Sequence, residues 1–300
     1  MSSRPTGPAP GPVAPDRAAS ETLVGMAPSF DRSMPPRLVA TDLDGTIVRS
    51  DGTVSARTLA AFTLVERAGS VFVLVTGRPP RWMREIADSF PDLGLAICAN
   101  GALVYDLRSE SVVQAHLIEP ETVHRVAADL RAELPELAFA VEFADGFQVE
   151  AGYHRAYWDG RRLPGECPMV DTVLDVHAPA AKLLVQHPAM RADALLARVG
   201  EILSEDLVTV THSSYRGLLE LSAAGVSKAT TLARLCADLG IGHRDVLAFG
   251  DMPNDLPMLA WAGGAYAVAN AHPTVLAAVA DHTESNDDDG VARVLERLFG

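Results

Sequence analysis

The chain has 300 residues, long enough for one large or two medium domains with proper cores. Hydrophobic residues make up 48% and charged ones 21%, an ordinary globular balance. The net charge of −14 argues against nucleic acid as a general partner, since phosphate backbones are bound by clustered Lys and Arg, but it leaves room for a small anionic substrate beside a metal and a few cations.

Residues 1–34 are rich in Pro, Ala, Ser and Gly without apolar periodicity, and read as a mobile tail that cannot bury enough surface to offset its ordering entropy. The tail lacks the compact apolar stretch of a secretory signal. Met34 is an alternative start, because the foldable pattern begins at Arg37.

From there strand and helix alternate. Leu38-Val39-Ala40-Thr41 is a short apolar run that stops at Asp42-Leu43-Asp44-Gly45-Thr46, and reads as a buried parallel strand. Ligands of open α/β sheets bind just beyond the carboxyl ends of such strands. Two acids there repel one another unless a proton or cation intervenes, and Mg2+ takes carboxylate and backbone oxygens. Taken alone, the five residues also read as a polar turn.

A helix is expected from about Ser55 to Ala68, with Ser55 as N-cap. Val71–Val75 is the second strand, ending at Thr76-Gly77-Arg78 before Pro79 and Pro80 open another helix. Leu95–Ala99 is the third, ending at Asn100-Gly101. This rhythm calls for an α/β fold with a doubly wound parallel sheet in residues 35–107 and again in 217–300.

Between them, residues 108–216 mix strands (Ala138–Phe143, Lys182–Gln186, Leu207–Thr211) with helices near 120–133 and 189–203, an inserted α+β domain. After Leu218 the pattern resumes. A helix over about Ser227–Leu239 precedes the strand Val246–Phe249, which runs into Gly250-Asp251-Met252-Pro253-Asn254-Asp255. A helix to Ala262, a strand to Val268 and a last helix from Gly290 follow.

Cys98, Cys167 and Cys236 lie far apart without CxxC spacing, which points to neither a disulfide framework nor a zinc site and fits a reducing cytoplasm. No apolar run reaches the ~18–20 residues of a membrane span.

The ordered set Asp42-Leu-Asp44-Gly-Thr46, Thr76-Gly-Arg78, Gly225-Val-Ser-Lys228 and Gly250-Asp-Met-Pro-Asn-Asp255 resembles the haloacid dehalogenase-like hydrolases. The large insert, with Asn100-Gly101-Ala102 and Val-Ser-Lys, resembles the Cof-type subgroup carrying a cap of the C2B kind. The resemblance covers about residues 37–300 and implies a core of Rossmann-like winding under an α+β cap.

What it implies chemically can be followed residue by residue. Asp42 would attack phosphorus to give an aspartyl-phosphate, and Asp44 would protonate the leaving oxygen and then deprotonate water. Mg2+ would be held by Asp42, Asp251, Asp255 and the backbone carbonyl of Asp44. Thr76 and Lys228 would contact the transferring phosphoryl group, with backbone donors at Leu43, Asp44 and Gly77. Arg78 is a candidate phosphate or cap contact, and Asn254 completes or orients the shell, although Pro253 and Pro257 bracket its loop.

The insert would close over the pocket and set specificity; Tyr153, His154, Tyr157, Trp158, Arg161 and Arg162 are its candidate contacts, and an aromatic set of this kind is more often local core. The expected function is hydrolysis of a small phosphorylated metabolite such as a sugar phosphate, a nucleotide or a phosphorylated cofactor, in the cytoplasm, by a monomer or homodimer without nucleic-acid or membrane partners. A phosphomutase or phosphotransferase using the same intermediate, and a non-catalytic sensor of a phosphorylated metabolite, are the alternatives. A dehalogenase needs no acid at Asp44, and a P-type pump would carry Lys there.

Overall fold

A computed structural model describes residues 34–84, 94–153 and 168–300. Eight strands form the first sheet: β1 (Leu38–Thr41), β2 (Val71–Val75), β3 (Leu95–Cys98), β4 (Leu103–Asp106), β5 (Ser111–Ala115), β12 (Val246–Gly250), β13 (Gly264–Val268) and β14 (Asp281–Thr283). Their spatial order is β14-β13-β12-β1-β2-β3-β4-β5. The six strands from β14 to β3 are parallel, and β4 and β5 add an antiparallel hairpin at the edge, so the sheet is mixed.

Helices α1 (Ala56–Arg67), α4 (Lys228–Asp238), α5 (Leu256–Trp261), α6 (Pro273–Ala278) and α7 (Gly290–Phe299) belong to this layer. Ser55 caps α1 by accepting from the Thr58 N–H, as its sequence suggests. After Pro79, a short 3₁₀ turn over Pro80–Trp82 stands where a helix was expected, and any continuation lies outside the described residues. The core is the fully apolar centre of the sheet, with Leu38, Val39, Leu74, Val75, Leu247 and Phe249 all inaccessible to solvent. Truncating Phe249 to Ala would cost about 3–5 kcal/mol.

The second sheet holds β6 (Ala138–Glu142), β7 (Phe147–Glu150), β8 (Met169–Val170), β9 (Lys182–Gln186), β10 (Val208–Thr211) and β11 (Leu218–Ala223), in the order β10-β11-β9-β6-β7-β8. All pairs are antiparallel except β7 with β8. The strand period of two sorts its faces. Phe139, Val141, Leu183, Val185, Leu219 and Leu221 pack in one core with side chains of α2 (Pro120–Glu133) and α3 (Ala192–Ile202). The alternate positions carry Glu142, Lys182 and Glu220, all buried.

Two strands fall on the other side of the divisions read from the sequence: β5 extends the first sheet beyond residue 108, and β11, beyond 217, is part of the second. Both depend on hairpin pairing with a neighbour, which local composition does not encode. Tyr153 is buried edge-on against Phe147, so it is core; His154, Tyr157, Trp158, Arg161 and Arg162 lie outside the described residues. Cys98 and Cys236 are buried free thiols. No helix among the described residues is long and apolar enough to cross a membrane.

Candidate active site

Register places the site. Thr41 pairs with Phe249 on one side and Leu74 on the other, so the chain beyond β1, β2 and β12 emerges at one edge with Asp42, Thr76 and Asp251 side by side. The sharp exit after β1 is built on one acceptor, since the Leu43 carbonyl receives the N–H groups of Thr46, Ile47 and Val48. Gly45 sits at φ +80 in that turn, and a Cβ there would meet Asp251 Oδ2 at 2.3 Å, so only glycine allows the two loops to close. Thr46 reaches across the same gap and donates to Asp251 Oδ1 at 3.0 Å.

Asp42, Asp251 and Asp255 present carboxylate oxygens within 4.8 Å of one another, and all three are buried. Lys228 enters from the first turn of α4, where Ser227 and Thr230 form a capping box. Its Nζ donates to Asp42 Oδ1 and Asp255 Oδ1, both at 2.6 Å. A cation at a helix N-terminus opposes the macrodipole, so the carboxylates account for its place. Burial works against the Lys228 charge, yet Asp255 and Asp42 outweigh it and raise its pKa.

The acids respond to the same crowding. Burial pushes Asp42 up to about 7 against the pull of Lys228, and the charges of Asp255 and Asp44 push the same way. Burial, then the Asp42 and Asp255 carboxylates, raise Asp251 as well. Three buried carboxylates therefore face one ammonium, an excess of negative charge that suits a divalent cation. Asn254 adds a second sign of fit: its Nδ2 donates to Asn100 Oδ1 at 3.1 Å, while its buried Oδ1 has no partner in the protein.

Asp255 holds its loop: Oδ2 accepts from the N–H groups of Asp251 and Met252, both at 3.0 Å. Asp44 stands apart from the acid cluster. Its carboxylate is exposed and gripped at two points by Arg78, Nε at 2.7 Å and Nη2 at 2.5 Å. Thr76 is buried, and its Oγ1 accepts from the Arg78 N–H at 3.0 Å. Gly77 presents its carbonyl to Lys182 of the second sheet at 2.8 Å.

Of the residues named from sequence, Asp42, Asp251, Asp255, Lys228 and Asn254 converge in one cluster, with Thr76 on the neighbouring loop and Asp44 and Arg78 paired beside it. Sequence reading quoted Thr46 and Asn100 only as motif positions and assigned no role to them, to Lys182 or to Glu220. A signal existed for the last two, each the one charged residue of a largely apolar, largely buried strand. Asn100 is left-handed at φ 57, next to Ala99 at φ 51, a rare pair for residues other than glycine.

The profile of the haloacid dehalogenase-like hydrolases matches residues 39–295. The chain belongs to that family. Within it, the chain is of the Cof-type, phosphatase kind. It is 26% identical over 266 residues to the 5-amino-6-(5-phospho-D-ribitylamino)uracil phosphatase YitU of Bacillus subtilis, covering 88% of this chain and 98% of that one. Pyridoxal phosphate phosphatase YbhA of Escherichia coli is 25% identical over 274 residues, with 87% and 98% covered. Among solved structures, the subclass IIB sugar phosphatase BT4131 superposes with a TM-score of 0.73 over 87% of this chain and 98% of that one; at 19% identity this likeness speaks for the shared fold.

Proposed function

We propose that this haloacid dehalogenase-like hydrolase cleaves a phosphomonoester of a small metabolite through an aspartyl-phosphate on Asp42, with Mg2+ as cofactor. The observation that carries the reading is the buried meeting of Asp42, Asp251 and Asp255 around the Lys228 ammonium, at the carboxyl ends of parallel strands. Asp42 and Asp251, with the Asp44 carbonyl that the family pattern implies, would hold the ion. Asp255 orients that shell, because both of its oxygens already accept hydrogen bonds. When bound, Mg2+ supplies the positive charge that lets an anionic phosphate approach an ionised carboxylate.

The protein groups divide the work. An Asp42 oxygen forms a bond to phosphorus as the bond to the substrate's alcohol oxygen breaks, and Asp44, turned from Arg78 and protonated from solvent, gives that oxygen its proton. Water then attacks the phosphorus, Asp44 takes the proton back, and inorganic phosphate leaves as Asp42 is restored. Lys228, released in part from Asp42 as that carboxylate becomes an acyl phosphate, faces the transferring group. Thr76 and the Gly77 backbone donate to its oxygens. The relatives named above act on a ribitylamino-uracil phosphate and on pyridoxal phosphate, which supports a small phosphorylated metabolite as the substrate class.

The test is turnover of p-nitrophenyl phosphate with Mg2+. Activity that EDTA abolishes is expected, and product analysis should find inorganic phosphate without added bisphosphate. Full activity in the presence of EDTA would overturn the reading.

A further inference from the structure

The second sheet touches the first through a short row of buried charges. Lys182 on β9 donates to Glu220 Oε2 at 2.5 Å and to the Gly77 carbonyl at 2.8 Å. Glu220 on β11 also accepts from Asn100 Nδ2 at 3.0 Å and from Ser213. Glu142, directly across from Lys182 in the strand register, is paired with Arg81 of the first layer. Glu142, Lys182 and Glu220 are each less than 5% exposed. A buried ion pair is poor evidence for stability, because packed apolar side chains would hold the two layers as well. What polarity adds here is a donor aimed at one peptide.

That peptide joins Gly77 to Arg78. Its carbonyl is held by Lys182, and its N–H donates to Thr76 Oγ1 at 3.0 Å. The amide proton occupies a lone pair of the hydroxyl and turns the O–H away from it. The loop is fixed from below as well: the Asn100 N–H donates to the Thr76 carbonyl at 3.0 Å, and the Ala99 N–H to the Arg78 carbonyl at 2.9 Å.

We propose that Lys182 is a positioning residue of the second sheet that orients the Gly77–Arg78 peptide and through it the Thr76 hydroxyl toward the transferring phosphoryl group. This rests on the phosphatase reading and extends it, since the grip exists only while the second sheet lies against the loop. Closure over a substrate thereby completes the donor set.

The experiment is a mutant cycle in the full-length protein. Lys182→Met is combined with Glu220→Gln, so that no buried carboxylate is stranded, and the pair is placed in the wild-type, Thr76→Val and Thr76→Ser backgrounds. In the wild-type background we expect kcat for p-nitrophenyl phosphate to fall roughly 10–100-fold, as a misplaced group costs, with KM moving far less. The same drop is expected with Thr76→Ser, which keeps the hydroxyl, and less than about threefold with Thr76→Val, because coupled residues are not additive.

An equal factor in all three backgrounds would overturn the proposal. Orthovanadate binding by calorimetry runs the same cycle without turnover, so an inactive wild-type protein would sink the phosphatase reading and still leave Lys182 to be judged. If the pair variant does not fold, Lys182→Gln, which shortens the reach, is expected to show the same dependence on the Thr76 hydroxyl.

Discussion

The Lys228 ammonium lies 2.6 Å from a carboxylate oxygen of Asp42, although 186 residues separate them in the chain. Neither side chain is at ease without the other. The lysine is fully buried at a helix end that repels cations, and the aspartate is one of three acids in a buried cluster.

Removing the cation should therefore show first in stability. Lys228→Met leaves the acid cluster uncompensated, and the metal-free variant should lose about 3–5 kcal/mol, the usual result of breaking a buried pair. Mg2+ should raise the melting temperature of the variant more than that of the wild type, because binding to the folded state restores what was lost. Differential scanning calorimetry with and without Mg2+ checks both; an identical Mg2+ shift in the two proteins would count against a shared ion.

Asp42→Asn should part activity from stability. Burial and the neighbouring carboxylates disfavour the ionised form of Asp42, so a neutral isostere should leave the metal-free protein at least as resistant to heat as the wild type. Turnover should fall roughly 10⁴-fold or more, as when other nucleophilic units are disabled. Wild-type turnover in this variant would rule out an aspartyl-phosphate on Asp42.

Asp44→Asn should discriminate between leaving groups. An alkyl phosphate needs a proton on its departing oxygen, and its hydrolysis should slow by on the order of 10²–10⁴. p-Nitrophenolate leaves without help, so kcat/KM for its ester, which reads the first step alone, should fall much less. The later hydrolysis of the aspartyl-phosphate slows alike for all esters. Arg78→Lys gives up the two-point grip on Asp44 and should follow the same ranking in milder form. kcat/KM measured on a series of esters of increasing leaving-group pKa gives the comparison.

Glu220 sets an acid limit on the contact between the two sheets. Burial works to raise its pKa, but Lys182, with help from Ser213, outweighs it and holds the carboxyl below its usual 4.5. A depressed folded value means stability that is fully present above the unfolded pKa and lost as pH falls through the folded one. Wild-type melting temperature should thus drop more steeply below about pH 4.5 than that of Glu220→Gln. Parallel curves would show that Glu220 makes no such contribution.

The parts of this site that a reader can find in the sequence are those where a strand ends. Val39 to Thr41, Val71 to Val75 and Val246 to Phe249 are apolar runs that halt at Asp, Thr or Gly-Asp, and parallel pairing does the rest. Ser227 announces the helix that carries Lys228 through its cap. The contacts that cross between the two sheets are silent in the sequence. Lys182 lies in Lys-Leu-Leu-Val-Gln and Glu142 in Ala-Phe-Ala-Val-Glu, and nothing local says that the first will meet Gly77 or the second Arg81. Arg78 reads from sequence as a contact for phosphate or cap, and its guanidinium holds Asp44, a pairing set by the turn of two separate loops.

The second sheet rejoins the first through residues 224–227, between the last residue of β11 and the first of α4. Gly225 takes φ +70 there, and the Val226 N–H closes a tight bend onto the Ala223 carbonyl. A rigid swing about this joint is a lever whose fulcrum lies beside Lys228. The lever arm lengthens by one strand spacing at a time, about 4.8 Å, from β11 to β9 to β6. In such a swing Arg81 and Glu142 would part first and Lys182 later, while the ammonium that neutralises the acids would scarcely travel.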